Sequence, residues 1–470
     1  MWRPDLTFDR EAFIRESRPR LVKGLIAAAV GFLVIAVLSG PTLTLLLAAI
    51  VGLALYIPAW DRVPYGKVLS VGTVIVLVVL YPYYQQNMFE VPIFGGFPSV
   101  DTAVTMLIFI MMALGLNIVV GYAGLLDLGY VAFYAVGAYT AAWFASPHFS
   151  ESIKSFHFGA VGVNEGSGGI HISIWIVLIV AAIFTAVIGV IIGLPTLRLR
   201  GDYLAIVTRG FGEIMPQVAL NGDNLFNTGF NLTNGPQGIN PIDPPGFGKT
   251  LEGAVGLPES YLAPGDNALG LFGNSLELYF WTALVLVLFT AFCSLRLRDS
   301  RLGRAWIAIR EDETAAAAMG VPLMRTKTWA YAAGAFFGGI AGAYYASFKS
   351  GTFPADFYFN ISVFILCMVI LGGMGNIWGV IVGGGFLAYL NQEGLGNIGA
   401  WLNERFATDN AEWVRVWGEP IDVPLYQFGI FGVILVLVML FKPEGLIPSA
   451  RRKAEFEEGV SDEPLYDVTK

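Results

Sequence analysis

Nine long apolar runs divide this chain, and each is close to the length of a membrane-spanning helix. They cover residues 21–38, 42–59, 68–84, 102–120, 125–145, 172–194, 278–295, 328–348 and 425–441. A helix needs about 20 residues to cross the ~30 Å hydrocarbon core of a bilayer. The pattern therefore predicts an all-α polytopic membrane protein with about 10–12 membrane segments, some of them broken or re-entrant.

Two further stretches do not fit a simple span. Residues 203–220 are apolar but carry two charged residues and a proline. Residues 361–390 are too long for one crossing and short for two, and glycines interrupt them at 372–379. We expect 203–220 to cross once, and 361–390 either to cross twice or to re-enter from one side.

The composition agrees with a membrane protein. Of 470 residues, 55% are hydrophobic and 14% are charged, and the mean hydropathy is +0.64. A soluble domain carries about 25% charged residues. Glycine and proline, with 56 and 24 copies, are more frequent in transmembrane helices than in soluble ones. The two cysteines lie in apolar runs and imply no disulfide framework.

The lysines and arginines set the orientation. With a cytoplasmic N-terminus, the inner segments hold 21 of the 28 basic residues and the outer segments hold five. Inner loops carry the excess of basic residues in membrane proteins, so we expect both termini in the cytoplasm. The same count requires 203–220 to cross, because otherwise the basic stretch 296–304 would lie outside.

One polar, helix-prone segment lies on the inner side, at residues 299–327; we call it the coupling segment. Ser300 or Asp299 can cap the start of a helix there, and Gly320 can end it in a left-handed turn. Trp306 belongs to an apolar stripe that we expect to pack toward the spans. The charged residues occupy the other faces, which indicates a cytoplasmic helix that docks a partner.

Two stretches, 113–142 and 371–379, combine glycines with polar residues at membrane depth. Such segments either pack helices closely or expose backbone groups to a transport pathway. A polar side chain there usually faces a cavity or a partner. The candidate pathway residues are Asn117, Gly121, Tyr122, Gly124, Asp127, Gly129, Tyr130, Gly373, Gly375 and Asn376.

No catalytic, metal-binding or cofactor-binding pattern is present in the sequence. The stretch PPGFGKT at 244–250 imitates a phosphate-binding loop, but Asp243 stands where that loop needs glycine. The outer loops 221–275 and 391–424 either cap the pathway, receive a partner or merely connect spans. We divide the chain into an inner segment 1–20, accessory spans 21–100, a membrane core 101–448 that contains the coupling segment, and an acidic, disordered tail 449–470.

Five stretches resemble the LivM-type permease subunit of branched-chain amino acid ABC transporters. They are 115–142, 197–214, 302–322, 369–379 and 441–448. The resemblance implies a bacterial or archaeal inner-membrane protein that imports leucine, isoleucine or valine. It implies a second, LivH-like permease, two cytoplasmic ATPase subunits that hydrolyse ATP, an extracytoplasmic binding protein and surrounding lipid as partners, with no nucleic acid. The residues implied in ATPase coupling are Gly303, Arg304, Trp306, Arg310, Glu311, Asp312, Glu313 and Gly320.

One departure from the family pattern leaves the substrate open. Residues 233–239 read TNGPQGI where the family has Thr-Gly-Gly-x-x-Gly-Ile. Asn234 tolerates positive φ, so the turn can persist. A urea or short-amide permease of the same architecture would differ mainly along the pathway. An ion-coupled secondary transporter needs more intramembrane charge than Asp127, Arg209 and Glu213 supply, and would leave the coupling segment unexplained.

Overall fold

The computed structural model describes most of the chain after residue 95. The described residues are 75, 78–85, 96–150, 153–161, 163, 167–198, 202–224, 229–247, 260–261, 275–407, 422–442 and 444–447. The predicted inner segment 1–20, the first two spans, most of the third and the acidic tail lie outside them. The predicted domain limits remain predictions.

The described part is mainly helical, as predicted. The helices are α1 (Tyr81–Tyr84), α2 (Val100–Asn117), α3 (Val131–Phe144), α4 (Ile174–Thr196), α5 (Asp202–Asn221), α6 (Ser275–Asp299), α7 (Arg301–Glu311), α8 (Glu313–Ala318), α9 (Leu323–Phe348), α10 (Phe359–Gly372), α11 (Ile377–Tyr389), α12 (Leu395–Ala407) and α13 (Gln427–Phe441). A π-helical turn, Ile118–Tyr122, continues α2, and another, Leu390–Gly394, precedes α12. Short 3₁₀ turns cover Pro147–Phe149, Gly222–Asn224, Gly235–Gln237, Pro354–Phe357 and Val423–Tyr426.

Four stretches of the described part are long and apolar enough to cross a membrane. They are Val100–Tyr122, Ile174–Thr196, Ser275–Asp299 and Val423–Phe441. Helices α3 and α10 are apolar but shorter. The four long stretches agree with the predicted spans 102–120, 172–194, 278–295 and 425–441, and they fit a multi-pass membrane protein.

The predicted continuous span 125–145 is wrong in its first third. Residues 123–130 are not helical, and α3 begins only at Val131. Gly124 has a φ of +68°, which ends the preceding helix. The Asp127 carboxylate then accepts a hydrogen bond from the backbone N–H of Gly129 at 2.9 Å, a local bond that competes with helix and precedes the start of α3.

The chain forms two compact units, residues 1–103 with 392–425 and residues 104–391 with 426–470. In the first, Glu393 holds the entry to α2. Its Oε1 accepts hydrogen bonds from Ser99 Oγ at 2.7 Å and from Thr102 Oγ1 at 2.6 Å. The backbone N–H of Ser99 donates to the same oxygen at 3.0 Å, so Glu393 supplies a partner for a backbone group at the start of the helix, where the helix itself offers none.

In the second unit, α9 packs against α3 and α4 through small residues. A Cβ at Gly342 would lie 2.0 Å from the carbonyl oxygen of Tyr134, and one at Gly137 would lie 2.2 Å from that of Gly339. Glycine is therefore needed where these backbones meet, as in other tightly packed membrane helices. The Tyr344 hydroxyl, on the same helix, donates to the carbonyl of Tyr279 on α6 at 2.6 Å.

The ambiguous stretch 361–390 folds as two short helices, α10 and α11. The 14 residues of α10 extend about 21 Å, which is less than the hydrocarbon thickness. The two helices touch at Gly372 and Gly379, where an added Cβ on either would lie 2.3 Å from the other's carbonyl oxygen. This close packing joins them into a hairpin, with the turn at residues 373–376.

The opposite end of α3 leads into a three-stranded sheet. Strand β1 (Ala145–Ser146) pairs antiparallel with β3 (Ile170–Ile172), and β2 (Phe156–Phe158) pairs parallel with β3. His171 Nδ1 lies 2.8 Å from Asp243 Oδ2, and both side chains are buried. Burial raises the pKa of Asp243, and the hydrogen bond with His171 partly opposes that rise.

The turn at residues 233–239 keeps the predicted shape. Asn234 adopts the left-handed conformation, with φ of 61°. Its side-chain N–H donates to the carbonyl of Gly238 at 2.7 Å. The expectation that asparagine preserves this turn is confirmed.

Candidate functional site

The coupling segment contains two short helices where the sequence predicted one. Ser300 caps α7, because its Oγ accepts a hydrogen bond from the backbone N–H of Gly303 at 3.1 Å. Asp312 then adopts an extended conformation and ends that helix. Its Oδ1 accepts hydrogen bonds from Thr314 N at 2.7 Å and Ala315 N at 3.0 Å, so it caps α8. The predicted left-handed end at Gly320 is confirmed, with φ of +86°.

Trp306 faces the spans, as predicted. Its side chain is 1% exposed, and its indole N–H donates to the carbonyl of Thr326 at 2.8 Å. Gly303 lets α7 approach the end of α6, because a Cβ there would lie 2.2 Å from the carbonyl oxygen of Arg298. The segment is therefore held by an apolar anchor, a buried hydrogen bond and a close backbone contact.

Arg310 points back toward the spans. Its Nη1 donates a hydrogen bond to the carbonyl of Gly121 at 2.6 Å. Its Cγ lies 2.7 Å from where a Cβ on Gly124 would stand. Next to this contact, Asn117 Oδ1 accepts a hydrogen bond from the backbone N–H of Gly375 at 2.8 Å. The coupling segment thus contacts the π-helical end of α2, and Asn117 links that end to the turn of the α10–α11 hairpin.

The other candidate residues near this junction are also in contact with neighbouring elements. The Tyr122 hydroxyl lies 3.2 Å from Ser294 Oγ on α6. Asn376 caps α11 by accepting from Trp378 N at 3.2 Å, and its Nδ2 donates to the carbonyl of Ile447 at 2.8 Å.

Gly373 has a φ of +112° in the hairpin turn. The backbone N–H of Leu446 donates to the carbonyl of Leu371 at 2.8 Å. The stretch after α13 therefore binds to the hairpin.

Asp127, Gly129 and Tyr130 form the entry to α3. Asp127 is 1% exposed, and its Oδ2 has no hydrogen-bond partner among the described residues. A Cβ on Gly129 would lie 2.2 Å from the carbonyl of Thr208, so this non-helical segment packs closely against α5. The Tyr130 hydroxyl donates to the carbonyl of Gly334 at 3.0 Å. A buried carboxylate with an unsatisfied oxygen usually has a functional partner in membrane proteins.

The remaining charged residues of the coupling segment either form an ion pair or lie on its exposed face. Glu313 forms an ion pair with Lys327 at 2.8 Å, and the lysine side chain is only 4% exposed. Arg304 and Glu311 are exposed, and Met319 is 86% exposed. The exposed face thus combines opposite charges with an apolar tip.

The sequence of this chain matches a known protein family. Residues 99–439 match the family model described as the permease component of the branched-chain amino acid transport system. The chain belongs to this permease family. The permease is 32% identical over 421 residues to the high-affinity branched-chain amino acid transport system permease protein LivM of Escherichia coli K12, covering 88% of this chain and 83% of that one.

Two other relatives carry similar names. The LivM protein of Salmonella typhimurium is 32% identical over 409 residues, covering 86% of this permease and 80% of the relative. A probable LivM protein of Methanocaldococcus jannaschii is 26% identical over 363 residues, covering 73% and 90% respectively. No solved structure matches this permease.

The sequence indicated both the candidate coupling residues and the candidate pathway residues, but it did not predict the contact between them. Arg310 and Gly121 are 189 positions apart, and Asn117 and Gly375 are 258 apart. No local pattern connects such positions. The clue available in the sequence was that Arg310 directly follows Ile309, which lies three residues after Trp306 on the same apolar stripe and is buried, so a long side chain at 310 can reach back to the spans.

Proposed function

We propose that this permease forms half of the translocation pathway of an ATP-driven importer of leucine, isoleucine and valine. The family supports the substrate class, because the E. coli and Salmonella relatives are named for branched-chain amino acid transport. The full assembly would contain a second, LivH-like permease, two ATPase subunits in the cytoplasm and an extracytoplasmic binding protein. Both termini of this chain would lie in the cytoplasm of a bacterial or archaeal cell.

The observation that supports the coupling part of this proposal is the hydrogen bond from Arg310 to the carbonyl of Gly121. An ATPase subunit would bind the exposed face of the coupling segment, around Arg304, Glu311 and Met319. Closure of the two ATPases on ATP would displace this face. Because Trp306 and Arg310 fix the segment to the spans, the displacement would reach the end of α2 and the hairpin turn.

The end of α2 and the hairpin turn both have a backbone that can change conformation along the pathway. The π-helical end of α2 is a local departure from regular helix, and such turns are frequent at functional sites. The hairpin turn contains Gly373 and Gly375, both at positive φ. The assembly would face outward toward the loaded binding protein after ATP binding, and inward after hydrolysis. ATP chemistry would take place in the partner subunits, so this chain would supply no catalytic residue.

Docking is tested by reversing charge on the exposed face. We expect the double substitution Arg304→Glu and Glu311→Lys to reduce co-purification of the ATPase subunits, because two surface charges would meet like charges on the partner. Membrane insertion and co-purification of the second permease should be unchanged. ATPase retention and transport equal to wild type in this variant would contradict the docking assignment.

The substrate class is tested separately. Reconstituted transporter with its binding protein should accumulate radiolabelled leucine and not radiolabelled urea. Uptake of urea with no leucine uptake would leave the docking proposal standing and replace the amino acid by a short amide.

A further inference from the structure

An apolar groove of about 550 Å³ lies between α4, α6 and α9 and extends to the coupling segment. Its volume is in the range of small-molecule binding sites, about 300–1,000 Å³. Its walls are mainly aromatic and aliphatic, and they include Phe289, Phe292, Cys293, Trp329, Ala333 and Phe336. Leu302 and Trp306 of the coupling segment also contact it. None of the candidate pathway residues lines it, so it is a separate site.

One positive charge lies at this groove. The guanidinium carbon of Arg296 is 5.3 Å from the centre of the Phe292 ring. Arg296 is exposed, and it has no acidic partner among the residues that the structure describes. Trp329, which is 51% exposed, is the type of residue that lies at the boundary between lipid and water. The groove therefore offers apolar walls and a cation together.

We propose that this groove binds an anionic phospholipid, with an acyl chain along the aromatic walls and the headgroup phosphate on Arg296. The walls are formed by α6 and α9 with one residue of α4, and because α4 and α6 both qualify as membrane spans, hydrocarbon chains are the surrounding solvent. The arginine lies on the side that the charge count assigns to the cytoplasm, where anionic lipid attracts basic residues next to a span. An arginine is well suited to this position because it binds phosphate with several donors.

The occupant would also contact the coupling segment. Leu302 is 37% exposed and faces the groove, whereas Trp306 is buried between the groove and Thr326. A lipid acyl chain in the groove would complete the packing around Trp306. Lipid binding itself does not depend on the proposed transport function, because it rests on the groove and Arg296 alone.

Cys293 provides a direct probe, because it lines the groove and is partly exposed. The full chain, purified with its partner subunits, is placed in nanodiscs of phosphatidylcholine with or without phosphatidylglycerol. The rate of Cys293 alkylation by a membrane-permeant maleimide is then measured by mass spectrometry. Cys367, 7% exposed, serves as the internal reference for an intact fold.

We expect phosphatidylglycerol to slow Cys293 alkylation about fivefold. One basic side chain near an anionic lipid surface favours binding of the anionic lipid by about this factor. Arg296→Gln should abolish this lipid dependence. The matched control Arg198→Gln should keep it, because Arg198 is exposed at the inner end of α4 but does not line the groove. Ala333→Trp should fill the groove and slow alkylation equally in both lipids.

Two results would overturn the proposal. Equal alkylation rates of wild type in the two lipids would show that the groove does not select anionic lipid. Slow alkylation in both lipids, unchanged by Arg296→Gln, would show that a protein subunit covers the groove instead. A reactive Cys367 would identify an unfolded variant. If Arg296→Gln unfolds, Arg296→Lys, which keeps the charge but has a different donor geometry, replaces it. A lipid dependence below half that of wild type would then support the contact between the guanidinium and the phosphate, and a dependence equal to that of wild type would overturn it.

Discussion

The bond from Arg310 to Gly121 is the contact whose removal tests the coupling mechanism most directly. Arg310→Gln shortens the side chain and removes the charge, so the 2.6 Å hydrogen bond from Nη1 to the carbonyl of Gly121 is lost. Trp306 and its bond to Thr326 remain, so the segment should stay folded against α9. The change therefore loosens the connection to α2 and leaves the anchor intact.

The size of the effect follows from the charge and the exposure of this bond. A hydrogen bond to a charged group contributes about 1.5–3 kcal/mol. Arg310 is an exposed residue although the atoms of this bond are partly buried, and solvent screening lowers the value to about 1–2 kcal/mol. That range corresponds to about five- to thirtyfold in the equilibrium between attached and detached segment.

The assay compares transport with ATP hydrolysis in proteoliposomes that contain the complete transporter. We expect leucine uptake per ATP hydrolysed to fall about five- to thirtyfold in Arg310→Gln, while basal ATP hydrolysis persists. Arg310→Lys keeps one charged donor and should give an intermediate value. Arg198→Gln, which removes an exposed arginine without a described side-chain contact, should behave as wild type.

A normal ratio of uptake to hydrolysis in Arg310→Gln would refute this mechanism, provided that the subunits still co-purify. It would mean that Trp306 alone transmits the motion. Loss of the ATPase subunits from Arg310→Gln would instead place Arg310 in the docking face, against the contact with Gly121.

Three further predictions concern packing, a turn and a buried pair. Gly342→Ala should destabilise the permease by about 1–3 kcal/mol in thermal unfolding, because its Cβ would collide with a backbone carbonyl, whereas Gly429→Ala has open space and should be neutral. Asn234→Ala should cost about 1–2 kcal/mol at its positive φ, and Asn234→Gly should be tolerated. His171→Phe removes the bond that holds down the pKa of Asp243, so that pKa should rise further. The folded variant then binds the proton on Asp243 more tightly than the unfolded chain does. The substitution should therefore lower the free energy of unfolding more at neutral pH than at mildly acidic pH, as measured by unfolding over a range of pH. A pH-independent loss would contradict this account.

The sequence by itself determined the membrane class and most of the described spans. Apolar length is a local property, and it decides whether a helix can cross a bilayer wherever the rest of the chain lies. Local signals also determined the cap at Ser300, the left-handed end at Gly320 and the turn at Asn234, because each depends on one side chain and its nearest backbone groups.

Tertiary structure decided which faces of those elements meet. Asp312 breaks the coupling segment because its carboxylate binds the start of the next helix, a choice that helix propensity alone does not resolve. The direction of Arg310 depends on a carbonyl 189 positions away. The groove beside Arg296 exists because α4, α6 and α9 come together there. Contacts between distant segments have no periodic signature in the chain, so only the folded molecule places them.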